Sequence, residues 1–388
     1  MMTFNDWHTV RLADLIQSAQ PGFATGERAD DGVIQMRMNN VTTNGELDWS
    51  KFIRVPTTNK QVQKYSLKSG DVLFNSTNSP ELVGKTTAFL GHKEPIVFSN
   101  HFLRLRTNGR RLDPQYLARW LTKQWQLRVF EKYCTQWVNQ ATVRKEDLLS
   151  LEIPLPPLDE QRRIAAILSR ADRLRRLRRT ALELSDGYLQ SVFLEMFGEL
   201  ENYVPLGKLV TITGGGTPSR KIVEYYQGDI PWLTAKDMIA DYISDTQEHV
   251  TAEAIKKSAT KLVPKGSILV VVKSKVLMRR LPLAITKVPL CHGQDIKSIQ
   301  CSDRIAPEFL VYVLKHNTPN LLNQARGANT EGLTLPMLRE IQVPNASVLL
   351  QQKFASIVRH VERLRSQQRE ALRQAEGLFQ ALLHEAFQ

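Results

Sequence analysis

The stretch PLPPLDEQRRIAAILSRADRLRRLRRTALELSDGYLQSVFLEMF, residues 154–197, returns 190 positions later as PNASVLLQQKFASIVRHVERLRSQQREALRQAEGLFQALLHEAF, residues 344–387. Pro154 lies over Pro344, Gln161 over Gln351, Leu174 over Leu364, Gly187 over Gly377 and Phe197 over Phe387. Self-similarity at a fixed period sets the architecture before any single residue is interpreted. Each half of the chain therefore ends in the same long segment, and the protein is one unit written twice.

Both copies read as helix, and each reads as half of a coiled coil. In the first, the a/d line runs through Ile164, Ile167, Ala171, Leu174, Ala181, Tyr188 and Val192, with Arg178, Ser185 and Glu195 as polar exceptions. In the second it runs through Phe354, Ile357, Val361, Leu364, Ala371, Ala375, Leu378 and Leu382, with Gln368 and Glu385 as exceptions. A 3.5-residue seam sustained over five heptads wants a partner helix, and the repeat supplies one within the chain. A 39-residue helix would make a rod of about 58 Å. With a pseudo-two-fold axis between the copies, the helices run antiparallel and their midpoints, Arg178 and Gln368, meet and fix register. The plainer alternative packs each helix on its own globular domain, which offers no single face that long.

The chain has 388 residues, 42% hydrophobic and 23% charged, enough for two ordinary domains and neither disordered nor fibrous in balance. No apolar run approaches the roughly 20 residues of a membrane span, and the start MMTFNDWHTV lacks a basic-then-apolar signal pattern, so a cytoplasmic protein is expected. Cys134, Cys291 and Cys301 form no CxxC pair and no metal spacing, which leaves them as ordinary thiols. The net charge of +13 points to a polyanionic partner. Segments 159–197 and 351–388 carry +2 each, which leaves +9 on the globular parts. The dense cluster from Arg173 to Arg179 wraps round its helix and reads as a solvated or protein-binding face.

Residues 1–153 form the first globular block. Strand-like pieces are expected at 33–38, 51–55, 71–74, 86–90 and 102–106, a helix at 114–133 with Asp113 as cap, and a break at 154–157 before Asp159 caps the long helix. Residues 199–343 repeat this order at offsets drifting between 190 and 196. Ser69-Gly70-Asp71-Val72-Leu73 answers Lys265-Gly266-Ser267-Ile268-Leu269, and Asp113-Pro114-Gln115-Tyr116-Leu117 answers Ala306-Pro307-Glu308-Phe309-Leu310. The scaffold is kept while the loops differ, which suggests that two different things are read. The fold class is α+β, with helix segments at 154–198 and 344–388.

Several runs resemble one family. They are Thr213-Gly-Gly-Gly-Thr-Pro-Ser219, Tyr225-Tyr226-x-Gly228-Asp-Ile230-Pro231-Trp232, Gly266-x-Ile268-Leu269, and Ile153-Pro154-x-Pro156-Pro157-Leu158-x-Glu160-Gln161 opening a long helix. Together, in this order, they look like the specificity (S) subunit of type I restriction-modification enzymes. The resemblance covers the whole chain; one departure is Leu350-Gln351 in place of Glu160-Gln161, which removes the acid at the start of the second helix. It implies two target recognition domains, each reading one half of a bipartite, asymmetric DNA site, with the helices spacing them and docking two modification (M) subunits. Those subunits would carry S-adenosylmethionine and methylate adenine. Restriction (R) subunits with ATP and Mg2+ would complete a translocating nuclease, and the S chain itself would bind no cofactor or metal. A rod of this length can hold two readers about one DNA turn, roughly 34 Å, apart.

The residues independently lack chemistry: there is no P-loop, no HExxH, no convincing nuclease pattern and no amino-methyltransferase motif. Gly214–Gly216 lacks the lysine and strand-turn-helix context of a phosphate cradle and reads as a tight turn. Candidate DNA contacts follow from residue type and loop position, since bases are read by Arg, Lys, Asn, Gln, Ser and Thr and phosphates mostly by Lys and Arg. In the first block these are Arg37, Asn39 and Asn40, the loop residues Ser76, Thr77, Asn78 and Lys85, and Gln136, Asn139 and Gln140. In the second they are Thr217, Ser219 and Arg220, then Lys273, Ser274, Lys275, Arg279 and Arg280, the cations reading as backbone clamps, and finally Arg326 and Asn329. For any one of them a solvent-exposed turn is the competing reading, and Trp232 reads as core. A stand-alone DNA-binding regulator on the same frame, and an enzyme with an unrecognised motif, are the alternative functions.

Overall fold

The computed structural model describes residues 7–137, 140–327 and 332–387. The chain divides into two compact units, Met1–Arg179 with Glu370–Gln388, and Thr180–Arg369. The first unit holds β1 (Thr9–Arg11), β2 (Ile16–Pro21), β3 (Val33–Met36), β4 (Ile53–Val55), α1 (Asn59–Tyr65), β5 (Val72–Asn75), β6 (Thr77–Asn78), β7 (Thr86–Ala88), β8 (Ile96–Phe98) and β9 (Phe102–Thr107). After these come α2 (Pro114–Gln126), α3 (Val129–Tyr133), β10 (Cys134–Trp137), β11 (Gln140–Val143), α4 (Lys145–Ser150), β12 (Glu152–Pro154) and the first part of α5 (Leu158–Phe197). The second holds the rest of α5, then β13 (Tyr203–Pro205), β14 (Val210–Gly214), β15 (Ile230–Leu233), β16 (Tyr242–Ile243), β17 (Glu248–Val250), α6 (Ala252–Lys256), β18 (Ile268–Val271) and β19 (Leu283–Thr286). It continues with β20 (Cys291–His292), β21 (Ile296–Cys301), α7 (Pro307–Gly327), α8 (Leu335–Arg339), β22 (Gln342–Pro344) and most of α9 (Val348–Glu385).

The repeat seen in the sequence is a repeat of topology. In the first unit β2-β9-β5-β7 form an antiparallel sheet, and β4-β3-β8 form a second sheet in which β3 and β8 are parallel. In the second unit β14-β21-β18-β19 keep that order, with β16 added in parallel at the edge, and β17-β15-β20 repeat the smaller sheet. β1 pairs with β12 as β13 pairs with β22, returning the chain to the start of the long helix in both. Strands of the larger sheets, such as Val72–Asn75 and Ile268–Val271, are buried throughout and read as short continuous apolar runs. The expected helix at 114–133 is two helices, α2 and α3, because Arg128 adopts the left-handed conformation at φ 57° and ends the first.

Within each unit the long helices pack into the core of the globular block. In the first unit Ile164, Leu168 and Ala171 of α5 share one core with Leu12, Tyr116 and Leu117 of the globular block, and with Phe379 and Leu383 of α9. In the second, Leu189, Phe193 and Phe197 share a core with Phe309 and Leu314, and with Phe354 and Val358. Phe197 sits 4.6 Å from Phe309 and 5.4 Å from Phe354, ring to ring. Each such side chain, taken fully from water, contributes about 2–3 kcal/mol.

The seam itself is displaced from the expected one. Leu174 and Leu364 are 41% and 44% exposed, and Tyr188 and Leu378 are exposed as well, while Arg175, Arg365, Leu189 and Phe379 take the buried positions. Among the other expected seam residues Ile164 and Phe354 are buried, and Ile167, Val192, Ile357 and Leu382 are half-buried. Arg175 is what misleads the periodicity, since it looks like a surface residue. Its guanidinium lies 4.0 Å over the Phe379 ring and pairs with Asp172, which also takes a 3.0 Å bond from Arg119. Arg365 pairs in the same way with Glu362, and with Asp241 at 3.5 Å.

Candidate nucleic-acid interface

Both globular blocks are fixed to their helices by one device. Gln161 is fully buried; its Oε1 accepts from Asp113 N at 2.8 Å and its Nε2 donates to the carbonyls of Arg111 and Pro156 at 2.9 and 2.8 Å. Gln351 accepts from Ala306 N at 2.9 Å and donates to Arg304 and Ala346 at 3.1 and 3.0 Å. An amide satisfied on three sides inside a core holds loop and helix in one geometry. The missing acid at the second helix is made good by Ser347, whose Oγ accepts from Leu350 N at 3.3 Å. Asp159, by contrast, lies in the first turn of α5 rather than capping it, with its side chain almost wholly exposed beside Arg162.

From these anchored frames the variable loops project. In the first unit the segment after β5 does not expose its polar side chains as expected. Asn75 is buried and donates to the carbonyls of Thr77 and His101, Asn78 Nδ2 donates to Asn75 Oδ1 at 2.6 Å, and Asn78 Oδ1 accepts from Ser79 N. Lys85 is buried, donating to Val41 O at 2.5 Å and Met38 O at 3.2 Å, and burial lowers its pKa from the usual lysine range. Asn40 is fully buried, accepting from Arg37 N and donating to Asp48 O. Asn40, Asn78 and Lys85 are therefore engaged within the fold, since their polar atoms are bonded to the backbone or, for Asn78 Nδ2, to the Asn75 side chain. Arg37 is half-buried and Asn39 exposed on the same turn.

What the fold does bring together is the end of that loop and the hairpin after α3. β6, β11 and β10 form a three-stranded sheet in which Thr77 lies opposite Thr142, their hydroxyls 3.2 Å apart, and Ser76 bonds the His101 carbonyl. Gln140 is exposed on β11, and Gln136 lies in β10. Thr135, which the sequence did not single out, is exposed beside it. The side chain of Gln136, and the whole of Asn139, lie outside the described residues.

In the second unit the stretch after β18 carries exposed charge. Lys273, Lys275 and Arg279 are exposed, the turn Lys275–Met278 is capped by Ser274, which accepts from Val276 N, and Leu277 pins the turn to the core. Arg280 donates to Met238 O at 3.1 Å, which ties this loop to a turn 42 positions earlier. Arg220 is already engaged: its guanidinium pairs through both ends with Glu248 and stacks 4.3 Å over Tyr226 and 5.1 Å over Trp232. Trp232 is core, as expected, with Nε1 donating to Gly216 O at 3.1 Å. The glycine run is a packing device. A Cβ on Gly215 would lie 2.1 Å from His292 O, and one on Gly216 would lie 2.5 Å from the Ala259 backbone. Thr217 and Ser219 beyond it are exposed. Arg326 is the penultimate residue of α7, with its side chain outside the described residues, and Asn329 lies wholly outside them.

This duplicated frame matches a known profile twice. A family described as "Type I restriction modification DNA specificity domain" matches residues 5–184 and again 200–374. The chain belongs to that family. The specificity subunit of the Escherichia coli type I restriction enzyme EcoR124I/EcoR124II is 27% identical over 230 residues, 58% of this chain and 57% of that subunit. This match spans little more than half of the E. coli subunit. A Methanocaldococcus jannaschii protein named as the MjaX type I restriction enzyme specificity subunit is 24% identical over 382 residues, 92% of this chain and 87% of that one. The fold is shared with the S subunit of a type I restriction-modification system from M. genitalium, at a TM-score of 0.66 and 16% identity over 99% of this chain and 96% of that one. A second solved chain, from work on assembly and conformational transition of a type I system, superposes at 0.56 with 20% identity over 98% and 97%.

The chain thus carries two copies of a type I restriction-modification DNA specificity domain. Among the described residues no group of His, Cys, Asp and Glu forms a metal site, and no helix is long and apolar enough to cross a membrane.

Proposed function

We propose that the chain reads a bipartite, asymmetric DNA site, one half per recognition domain, within a type I restriction-modification complex. The observation that carries this is the contrast between identical anchoring and different loops. Gln161 and Gln351 fix both domains in the same way, while the polar three-stranded sheet of the first and the cationic 273–280 loop of the second offer DNA different chemistry. The domains are 1–153 and 199–343, with 154–198 and 344–388 as spacer helices. Two M subunits carrying S-adenosylmethionine dock on the helices, and R subunits using ATP and Mg2+ add cleavage, in the cytoplasm with the DNA. The helices pair antiparallel as a coiled coil, with Arg178 meeting Gln368. A disulfide forming between Arg178→Cys and Gln368→Cys, but not between Arg178→Cys and Leu382→Cys, is the expected outcome for that register.

The deciding experiment is methylation mapping. The chain is expressed with and without a type I methyltransferase subunit from the same operon, and N6-methyladenine is located by long-read sequencing. Methylation on both strands of a split motif, only when both proteins are present, is the expected result. A soluble complex that methylates nothing would instead favour a stand-alone DNA binder.

A further inference from the structure

Each globular block is tied to its long helix at a second point, and the tie is built alike in both units. Arg175 and Arg365 are 190 positions apart, as are Asp172 and Glu362, and both arginines are buried. Arg175 Nε donates to Asp172 Oδ1 at 2.6 Å, one turn back on α5, and Arg365 pairs with Glu362 in the same place on α9. Each arginine also faces one acid of its globular block, Glu46 at 3.8 Å from Arg175 and Asp241 at 3.5 Å from Arg365. These acids are 195 positions apart, within the drift that relates the two blocks. Both sit on well-held backbone. Thr42 N donates to Glu46 O at 2.9 Å and Thr42 Oγ1 accepts from Glu46 N at 3.1 Å, which closes a tight turn, while Asp241 O accepts from Ile285 N of β19 at 2.8 Å.

What the second tie adds is an angle. Gln161 and Gln351 already pin each block near the start of its helix, and a single pin leaves rotation open. The arginines stand 14 residues further on in both copies, about 21 Å along the helix and just under four turns away, so they return to nearly the same face. Two anchors that far apart fix the direction of a rigid body against a rod.

The two ties differ in what surrounds them. A cavity of about 300 Å³ opens beside Glu46, Asp172 and Arg176, between that turn, β7, α2 and α5. At the matching place in the second unit, beside Asp241 and Glu362, the space is about 10 Å³. Val311 and Lys315 stand there where the first unit has Ala118 and Thr122, 193 positions earlier. Lys315 Nζ reaches Asp241 at 3.3 Å, whereas the second cation at Glu46, Arg176, comes no nearer than 3.8 Å. Packing therefore supports the second tie, and the first is held beside a gap by charge.

We propose that Glu46 with Arg175, and Asp241 with Arg365, are positioning pairs that set the angle of each recognition domain about its helix and so hold the chain to one separation of the two half-sites. The inference rests on the DNA-reading function proposed above. One added base pair carries a half-site about 34° around the duplex and about 3.4 Å along it. A domain fixed at two points cannot follow that displacement, whereas a domain released at the second point can rock after it. Removing the acid is the clean release, because Arg175 and Arg365 keep Asp172 and Glu362 as partners and no buried charge is stranded.

The test expresses the chain with the methyltransferase subunit from its operon and a plasmid library in which the methylation-mapped half-sites are set at the native separation or at one or two base pairs more or fewer. N6-methyladenine is then read by long-read sequencing. Wild type is expected to modify a single separation. Glu46→Gln is expected to raise modification one base pair away by about tenfold with the half-site sequences unchanged, and Asp241→Asn to do so by less. Ile96→Ala, which thins the core at β8 and leaves both charge pairs in place, is expected to lower the melting temperature and keep the single separation. A Glu46→Gln chain that modifies the native separation alone would overturn the proposal. So would equal relaxation by Ile96→Ala, which would make the effect one of lost stability, or a wild type that already modifies several separations. A larger relaxation from Asp241→Asn than from Glu46→Gln would overturn the part given to the cavity. If no mapped site exists at all, the DNA-reading premise itself fails, a result distinct from all of these.

Discussion

At the scale of single residues, burial decides role more firmly than residue type does. His292 is fully buried on β20, its Nδ1 3.1 Å from Gly293 O and its Nε2 without a hydrogen-bond partner. Burial pushes its pKa below the ordinary 6.5, aided by Lys297. The folded unit therefore holds this imidazole neutral, while the unfolded chain takes up a proton near 6.5. Stability from this group is present above about pH 6.5 and is lost as pH falls below it, by at most about 1.4 kcal/mol per pH unit. Melts of wild type and His292→Gln between pH 5 and 7.5 check this, with the variant expected to show the flatter profile. The same logic explains which exposures were legible in the sequence. A sequence shows that 75–85 is polar but not that Asn75 and Asn78 bond each other, nor that Lys85 turns inward to two carbonyls. Lys275 and Arg279 were easier to place because their turn has only one buried anchor, Leu277.

At the scale of elements, periodicity found both long helices and their repeat, yet missed the buried line by one residue beyond the first turns. The apolar score preferred Leu174 to Arg175, whereas the fold buries Arg175 because Asp172 and the Phe379 ring are there to receive it. No local pattern can report a partner 204 positions away in the chain. Two sets of variants separate the frames. Leu174→Glu and Leu364→Glu, at exposed positions, are expected to change the stability of the isolated chain by less than about 0.5 kcal/mol. Phe193→Ala is expected to cost about 4 kcal/mol, because that ring is buried against Phe309, Tyr312 and Phe354. Urea unfolding followed by far-ultraviolet dichroism gives both numbers. Equal losses from Leu174→Glu and Phe193→Ala would restore the frame read from sequence.

At the scale of the whole molecule, the charge of +13 is the one functional signal that composition alone carried, and it places most of the excess on the globular blocks. A cation contributes to phosphate binding only where it is exposed and not already paired. Arg104 and Arg106 look like a basic edge in sequence, yet both sit on Asp71, Arg106 at 2.6 Å, inside the sheet. Lys85 is spent on carbonyls, and Arg220 on Glu248. Lys275 and Arg279 remain open to solvent. Each phosphate neutralised releases counterions and steepens the fall of log K with log salt by about 0.9. Lys275→Ala and Arg279→Ala are accordingly expected to weaken binding to every sequence alike and to reduce the salt slope by about 1 each. Lys85→Ala should leave that slope unchanged and lower the unfolding midpoint instead, since it strips the Met38 and Val41 carbonyls of their buried donor. Titrations of the methyltransferase complex on specific and random duplexes from 50 to 200 mM salt distinguish the two behaviours. A slope loss on Lys85→Ala equal to that on Lys275→Ala would mean that the 75–85 loop opens on DNA and presents its lysine after all.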